Sequence, residues 1–204
     1  MGTPAMEGVA VTALRSVLHR VRKAAERSGR VSDHIRVVAI GKTKPVSLIR
    51  DVYDSGHRCF GENYVQELID KAPQLPEDIE WHFVGHLQSN KLTDPLNLFA
   101  AKSGAEPSDC VELARHVKLS CPNLVFSGLM TIGMKDYTST PENFKTLSNC
   151  RSNVCAALGI AKEQCELSMG MSGDFEQAIE MGSTSVRIGS TIFGPREYPK
   201  KQEH

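Results

Sequence analysis

Short apolar runs rich in β-branched residues alternate with amphipathic segments along most of this 204-residue chain. The run IRVVAIG (35–41), for example, follows a segment, 9–28, whose apolar residues recur at helical spacing. Near-continuous β-branched runs are typical of parallel strands that are covered on both faces. The alternation therefore predicts an α/β fold with a parallel sheet, and the lack of linker-like stretches predicts one domain over 1–204.

The number of predicted strands bears on which parallel fold this is. A (β/α)8 barrel needs eight strands and typically uses about 250 residues. Six strands are predicted, with a seventh candidate in LNLFAA (96–101), so an open doubly wound sheet remains an alternative on strand count alone. The six predicted strands are 35–41, 58–62, 79–85, 123–133, 165–171 and 185–194.

Composition and charge argue against several classes of partner. The 24 Lys and Arg residues balance the 24 Asp and Glu residues, so nothing indicates bulk attraction to nucleic acid or to an anionic membrane. No apolar run approaches the ~20 residues of a membrane-spanning helix. The six cysteines form no C-x-x-C pair and the N-terminus does not resemble a signal peptide, which favours reduced thiols in the cytosol. Mitochondrial import is the alternative to the cytosol, because arginines make 9–28 basic. Separately, the polar residues 195–204 are predicted to form a loose tail.

Two lysines stand where the first predicted strand ends, in VVAIGKTKP. Ligands of α/β proteins bind at the carboxyl ends of parallel strands. A lysine there is a solvated residue, an anchor for phosphate or a nucleophile for a carbonyl. Lys42 lies at the strand exit on the same face as Val38 and Ile40, whereas Lys44 lies beyond it, beside Pro45. This position favours Lys42 as the functional lysine and Lys44 as a surface residue.

Glycine-bearing turns follow the last two predicted strands. SMGMSGD leads from one strand into a helix, and RIGSTIFG adds a turn that carries the hydroxyls of Ser190 and Thr191. Backbone N–H groups at such turns bind anions, and in (β/α)8 barrels the loops after the last two strands commonly hold a phosphate. The pair of turns favours a phosphate cradle. The alternative is that Gly170, Gly173 and Gly189 only satisfy turn geometry.

The last predicted strand carries an arginine on the face that we expect to point into the core, because successive side chains of a strand point to opposite faces. On SVRIG, Arg187 lies on the face opposite to Val186 and Ile188, which we expect to meet the helices. A buried guanidinium must contact a ligand or a carboxylate. The pattern therefore predicts either a ligand beside Arg187 or a salt bridge to an inward carboxylate such as Glu62.

Two histidines in WHFVGH share one face of the third predicted strand. His82 and His86 alone do not make a metal site, which needs a third ligand and a suitable set of partners. No third ligand stands out in the sequence, so we predict a core or pocket histidine and no metal.

Six motifs, in order along the chain, resemble one known family. They are AIGKTKP, FGENYVQE, WHFVGHLQSNK, GLMTIG, ELSMGMSGDFEQAIEMGST and VRIGSTIFG, and the resemblance runs from about residue 10 to Tyr198. By these motifs the chain is identified as a member of the pyridoxal phosphate homeostasis protein family. The resemblance implies a TIM-like (β/α) barrel similar to the N-terminal domain of alanine racemase, without that enzyme's second domain.

The resemblance also implies a cofactor, pyridoxal 5′-phosphate, held as a Schiff base on Lys42. It implies that Arg187 faces the pyridine nitrogen and that the two glycine turns hold the phosphate. An arginine that faces the ring nitrogen leaves that nitrogen unprotonated, because a guanidinium does not readily accept a proton. The ring is then a weaker electron sink than one paired with Asp, which favours holding the cofactor over carbanion chemistry. The residues implied to line the cofactor site are Lys42, Asn63, Ser172, Gly173, Arg187, Gly189 and Ser190.

One section departs from the family's pattern. After HLQSNK, the stretch LTDPLNLFAAKSGAEPSDC stands where the family has a helix, a strand, a helix and a strand, so a family segment is missing around 92–103. At ~30 residues per βαβ motif, the loss is roughly one to one and a half βα units. Because barrel closure links strand number, tilt and stagger, we expect an incomplete barrel with exposed sheet edges.

Three functions remain open at this point. The first is a non-enzymatic, monomeric protein that binds pyridoxal 5′-phosphate and buffers it or delivers it to apoenzymes that depend on it. The second is a racemase-like enzyme, which needs an acid or base opposite Lys42, with Tyr64, His82 and Cys59 as candidates. The third is a truncated variant that no longer binds the cofactor. The sequence favours the first.

Overall fold

The computed structural model describes residues 8–85, 105–133 and 140–195, and the backbone of 97–98. Within these ranges, strands alternate with helices as the sequence predicts. The strands are β1 Arg36–Ile40, β2 Cys59–Glu62, β3 Glu80–Phe83, β4 Asn97–Leu98, β5 Gly128–Met130, β6 Glu166–Ser168 and β7 Ser185–Ile188. The helices are α1 Val9–Arg27, α2 Val46–Asp54, α3 Val65–Lys71, α4 Cys110–Ser120, α5 Pro141–Leu158, α6 Phe175–Glu180 and α7 Ser190–Phe193.

The strands form one parallel sheet in the order β4-β3-β2-β1-β7-β6-β5. The first strand lies beside the last, because Val38 pairs with Arg187 and Ala39 with Ile188. A doubly wound sheet reverses its strand order at a switch point. Here the strands follow chain order on both sides of the β1–β7 pair, which is the order of a (β/α) barrel. Among the described residues no ladder joins β4 to β5, so the barrel is open between these two strands.

Several helices begin and end at the signals that the sequence carries. The long helix α1 is followed by Gly29 in the left-handed region, at φ 66°. Helix α5 begins at Pro141, after a capping box in which Thr140 and Asn143 bond each other's backbone. Gly159, at φ 62°, closes α5.

The outer face of the sheet is covered by α1, α2, α6 and α7. Val37 and Phe60 on the strands join one buried apolar cluster with residues of these helices. At the rim of this cluster, Arg27 of α1 forms a 2.6 Å salt bridge with Glu180 of α6. Removal of this apolar surface from water is what holds the helices against the strands, and it leaves the opposite, inner face for polar groups.

The inner face of the sheet is unusually polar for a buried surface. His82, Ser168, Ser185 and Arg187 are each at most 5% exposed and lie on strands, in alternation with the residues that face the helices. Buried polar groups require hydrogen-bond partners. The inner face is therefore the part of the fold in which a ligand or an internal network is needed.

The six predicted strands are all shorter in the structure than expected, most of all those over 123–133 and 185–194. The prediction of a strand over 185–194 is wrong beyond Ile188, because Ser190–Phe193 forms a helical turn. That turn directs Ile192 and Phe193 into the outer apolar cluster, which an extended chain at this position does not allow. The strand predicted over 123–133 is reduced to β5, whereas the seventh candidate is present as β4.

Some predictions fall on parts of the chain that the structure does not describe. The segment around 92–103 lies outside the described residues except for β4, and so do His86 and the tail after Pro195.

In the described ranges, none of the helices combines the length and the apolar character that crossing a membrane requires. The six cysteines are free thiols, and four of them are buried.

Candidate functional site

The carboxyl ends of three neighbouring strands bring most of the predicted site residues together. Lys42 follows β1, the turn with Ser172 and Gly173 follows β6, and Gly189 with Ser190 follows β7. These strands are adjacent in the sheet, with β7 in the middle. Because they are parallel, their ends meet at one edge, as the sequence predicts.

The loop that carries Lys42 has an unusual backbone. Thr43 has φ 63°, and within the described residues no other residue except glycine has a positive φ. For a β-branched residue the left-handed backbone conformation costs roughly 1–3 kcal/mol, so it is retained only where the surrounding structure imposes it. On the other side of Lys42, a Cβ added to Gly41 would lie 2.9 Å from Oε1 of Glu62. The loop is thus tightly constrained on both sides of the lysine.

Lys44 contacts the segment after α7. Its Nζ donates a 2.6 Å hydrogen bond to the carbonyl oxygen of Pro195, beyond α7. Lys44 therefore ties the loop after β1 to the segment after α7. This contact gives Lys44 a role other than that of a free nucleophile.

Arg187 is buried and its hydrogen-bond partners are neutral. Nη1 donates to Oγ of Ser168 at 2.6 Å, and Nη2 donates to the carbonyl oxygen of Thr131 at 2.7 Å. Thr131 directly follows β5, so the guanidinium lies at the carboxyl end of the sheet. Burial lowers the pKa of Arg187 to about 10, although attraction to Asp174 opposes this. The group is charged at neutral pH.

The alternative prediction of a salt bridge between Arg187 and Glu62 is wrong. Among the residues that the structure describes, no ion pair joins Arg187 to a carboxylate, and Glu62 instead accepts a hydrogen bond from Lys71. Glu62 is on β2, two strands away from β7, and α3 folds back over its end. Asp174 attracts the charge of Arg187 from a distance, but no described carboxylate pairs with it directly.

The two glycine turns contact each other. The backbone N–H of Thr191 donates a 3.4 Å hydrogen bond to Oγ of Ser172. A Cβ added to Gly173 would have no atom within 4 Å, so there is open space above this turn. Ser190 is exposed and begins the helical turn, in which the N–H groups of Ile192 and Phe193 donate to the carbonyl oxygen of Gly189. The two turns are thus adjacent, with an exposed residue at Ser190 and open space at Gly173.

Asn63 lies where the chain leaves β2, beside the loop after β3. A Cβ added to Gly85 would lie 2.7 Å from the carbonyl carbon of Asn63 and closer still to its oxygen. The side chain of Asn63 is half-buried. Its position at the carboxyl end of β2 agrees with a pocket residue, but on the opposite side of β1 from the glycine turns.

A buried ion cluster behind Lys42 has no counterpart in the predictions. Nζ of Lys71 donates hydrogen bonds to Oε1 of Glu62 at 2.8 Å and to Oε2 of Glu67 at 2.6 Å. Lys71 is 8% exposed and Glu62 is fully buried. We refer to Glu62, Glu67 and Lys71 as the Lys71 cluster. The spacing of Glu67 and Lys71 is that of a helical ion pair, but nothing in the sequence indicates that the pair is buried.

Three potential metal ligands also meet on the inner face. Cys59, Glu80 and His82 place one ligand atom each within 4.8 Å of one another, so the third ligand that the sequence did not reveal is present. Oε1 of Glu80, however, lies 2.9 Å from Nε2 of His82 and 3.5 Å from Nε of Arg36. Burial raises the pKa of Cys59 to about 12 and lowers that of His82. Glu80 is thus engaged by His82 and Arg36, and the Cys59 thiol is protonated at neutral pH.

Stability is expected to depend on pH through Glu62. Burial raises the pKa of this carboxyl from 4.5 to about 7, against the opposing hydrogen bond from Lys71. The folded chain therefore keeps this proton to a higher pH than the unfolded chain, so the free energy of unfolding falls as the pH rises from about 4.5 to about 7. Between pH ~5.5 and ~8 the loss due to Glu62 is about 2 kcal/mol.

Urea unfolding of the wild type and of Glu62→Gln at both pH values measures this contribution. Histidines titrate in the same range but are common to both proteins, so the difference between the two pH dependences isolates Glu62. Equal pH dependence in the two proteins would contradict a raised pKa.

Comparison with known proteins gives three kinds of relative. The family model described as "Alanine racemase, N-terminal domain" matches residues 96–197. A curated relative from Mus musculus, named pyridoxal phosphate homeostasis protein, is 43% identical over 93% of this chain and 88% of its own length. A relative of the same name from Vibrio alginolyticus is 35% identical over 91% of this chain and 97% of its own.

Solved structures agree with these sequence relatives. PipY of Synechococcus elongatus without pyridoxal phosphate superposes with a TM-score of 0.69 at 26% identity, over 92% of this chain and all of PipY. PipY with pyridoxal phosphate bound gives 0.62 at 27% identity, over 86% of this chain and all of PipY. Alanine racemase of Bartonella henselae, at 14% identity, gives 0.59 over 92% of this chain and 61% of the racemase, which bears on the fold alone. The predicted TIM-like, incomplete barrel is confirmed.

The alignment with the mouse relative is longer than this chain. It runs over 241 residues, whereas this chain has 204 in total. The aligned part of the mouse protein therefore contains residues for which this chain has no counterpart. Their position around 92–103 stays a prediction, since that segment lies almost wholly outside the described residues.

Proposed function

Because this chain belongs to the pyridoxal phosphate homeostasis protein family, we propose that it binds pyridoxal 5′-phosphate and serves to hold and release the cofactor. One observation carries the proposal: a lysine, a buried arginine and two joined glycine turns meet at the carboxyl ends of three adjacent strands. PipY, to which the chain is similar over its whole fold, has been solved with pyridoxal phosphate bound.

The residues present fit the chemistry of this cofactor. Its phosphate is an anion, which the amides and hydroxyls of the turns at Ser172–Gly173 and Gly189–Ser190 suit. Its aldehyde requires an amine, which Lys42 supplies at the strand exit. Its ring requires a partner for the pyridine nitrogen, and in this proposal that partner is Arg187. The guanidinium of Arg187, which forms no direct ion pair with a described carboxylate, complements an anionic ligand.

The covalent linkage follows from these groups. The neutral amine of Lys42 adds to the aldehyde carbon, and the carbonyl oxygen leaves as water, which gives a Schiff base. The cofactor, when bound, supplies the capacity to withdraw electrons from an attached amine. Arg187 limits that capacity, because a guanidinium with a pKa of about 10 remains protonated at neutral pH and does not transfer a proton to the ring nitrogen.

A holding role is therefore favoured over catalysis. Racemisation needs an acid or base on the side opposite Lys42. Of the three candidates, Tyr64 is 49% exposed at the start of α3, and His82 and Cys59 face Glu80 on the inner face of the sheet. Glu80 is the first residue of β3, at the end of the sheet away from Lys42. In this proposal the cofactor is passed on to apoenzymes rather than used in place.

Cofactor binding is tested with the whole chain. At a concentration ~100 times the dissociation constant, pyridoxal 5′-phosphate should stabilise the fold by about 2.7 kcal/mol and raise the unfolding midpoint by roughly 5–10 °C. Borohydride, which reduces the Schiff base to a stable secondary amine, should then fix one pyridoxyl phosphate group on Lys42, identified by peptide mass spectrometry. A cooperative unfolding transition that the cofactor does not shift would reject the proposal, and would favour a variant that no longer binds.

A further inference from the structure

The two peptide groups that flank Lys42 are both anchored to the Lys71 cluster. On one side, the carbonyl oxygen of Gly41 accepts a 2.9 Å hydrogen bond from Nζ of Lys71. On the other, the backbone N–H of Thr43 donates a 2.8 Å hydrogen bond to Oε2 of Glu67. These groups belong to the two peptide planes on either side of the Lys42 Cα. The direction in which the Lys42 side chain leaves the backbone is therefore fixed from both ends.

Lys71 is the centre of this arrangement. An ammonium has three donors, and Nζ of Lys71 makes three hydrogen bonds, to Gly41, Glu62 and Glu67. Oε2 of Glu67 accepts from both Lys71 and Thr43, so one carboxylate oxygen joins the ammonium to the loop. Charge-assisted hydrogen bonds of this kind are strong and directional when they are removed from water.

The loop needs such support. Thr43 holds a left-handed backbone that β-branched residues avoid. A side chain at Gly41 would crowd the cluster, because an added Cβ would lie 2.9 Å from both Glu62 Oε1 and Ile49 Cδ1. The strained conformation and the close approach occur at the two neighbours of Lys42. The cluster therefore supports the conformation of the segment that carries Lys42.

We infer that Lys71 is a positioning residue for Lys42, which acts through Gly41 and Glu67 to aim the Lys42 amine at the aldehyde of the cofactor. The inference rests on the proposed function, since it concerns the Schiff base on Lys42. Lys71 is buried beneath the loop and acts without touching the cofactor. Its loss changes the reaction of the aldehyde with Lys42 much more than it changes the binding of the phosphate and ring.

Two ligands separate positioning from a general effect on the pocket. Pyridoxal 5′-phosphate probes the amine, whereas pyridoxine 5′-phosphate has the same ring and phosphate but an alcohol in place of the aldehyde. For Lys71→Met we expect at least a tenfold loss in borohydride-trapped Lys42 at a fixed concentration of pyridoxal 5′-phosphate. The affinity for pyridoxine 5′-phosphate, measured by calorimetry, should change less than threefold. Gln66→Ala, at an exposed position of the same helix, should match the wild type in both measurements.

Glu67 provides a second pair of variants if Lys71→Met does not fold. Glu67→Gln keeps an oxygen that accepts from the Thr43 N–H, whereas Glu67→Ala does not. We expect at least a tenfold loss of trapping in Glu67→Ala and less than threefold in Glu67→Gln, with both proteins folded by circular dichroism. Equal trapping in Ala, Gln and wild type overturns the inference, and so does an equal loss of affinity for both ligands. Absence of trapping on Lys42 in the wild type itself would instead reject the proposed function.

Discussion

Replacing Lys42 by alanine is expected to abolish the covalent attachment of pyridoxal 5′-phosphate. Lys42 follows β1, which lies between β7 and β2 in the sheet, and its amine is the group proposed to react with the aldehyde. Without it the aldehyde has no positioned nucleophile. We therefore expect borohydride-stable incorporation of pyridoxal 5′-phosphate to fall about 100-fold or more, which corresponds to a free-energy difference of about 3 kcal/mol. The visible absorption band of the Schiff base should disappear with it.

Lys44→Ala is the matched control for this change. Lys44 is two residues away and carries the same functional group, but its Nζ bonds the carbonyl oxygen of Pro195. Its removal is expected to change incorporation less than about threefold, or about 0.7 kcal/mol. Full incorporation in Lys42→Ala, or a loss confined to Lys44→Ala, would show that the wrong lysine has been assigned.

Gly85→Ala is expected to destabilise the protein by about 3 kcal/mol, the upper end of the usual cost of overpacking, because the added methyl group overlaps fixed backbone. The new Cβ would lie 2.7 Å from the carbonyl carbon of Asn63 and 2.8 Å from Cζ of Phe83. The Phe83 ring is 1% exposed and has little room to move, and the Asn63 peptide follows a central strand. Relief of the overlap thus requires β2 and β3 to separate at their carboxyl ends.

Gly173→Ala is the comparison, measured without cofactor. A methyl group there would have no atom within 4 Å, so the free energy of unfolding should stay within about 0.5 kcal/mol of the wild type. Urea unfolding of the three proteins gives the result directly. Equal stability of Gly85→Ala and Gly173→Ala would contradict the close approach of the two loops and, with it, the placement of Asn63 at the site.

Much of the architecture can be predicted from local patterns. The run 35–41 contains strand β1 and the segment 9–28 contains helix α1. Both could be predicted because side-chain direction repeats every two residues in a strand and every 3.6 in a helix. Caps such as Pro141 and Gly159 act through their nearest neighbours. The position of Lys42 at the end of β1 follows from the same periodicity. These features depend on residues that are close in sequence.

Contacts between distant segments were predicted less well. The pattern directs Arg187 inward, but its partners Ser168 and Thr131 depend on which strands lie beside β7. Glu62 was considered as a partner for Arg187 and is bound by Lys71 instead, because α3 folds back over the end of β2. The end of β7 at Ile188 was missed, since it is decided by the packing of α7 into the outer apolar cluster.

The sequence by itself determined the class of fold, the order of its elements and the lysine that the carboxyl end of the sheet presents. It also carried the family motifs, since these are contiguous runs of residues. Only the tertiary structure decided that Gly41 and Thr43 are held by Lys71 and Glu67, and that Arg187 is buried among neutral partners. The physical reason is that periodicity and capping are local properties of the backbone. Which buried charges meet is set by strand order and helix packing, which bring together residues far apart in the chain.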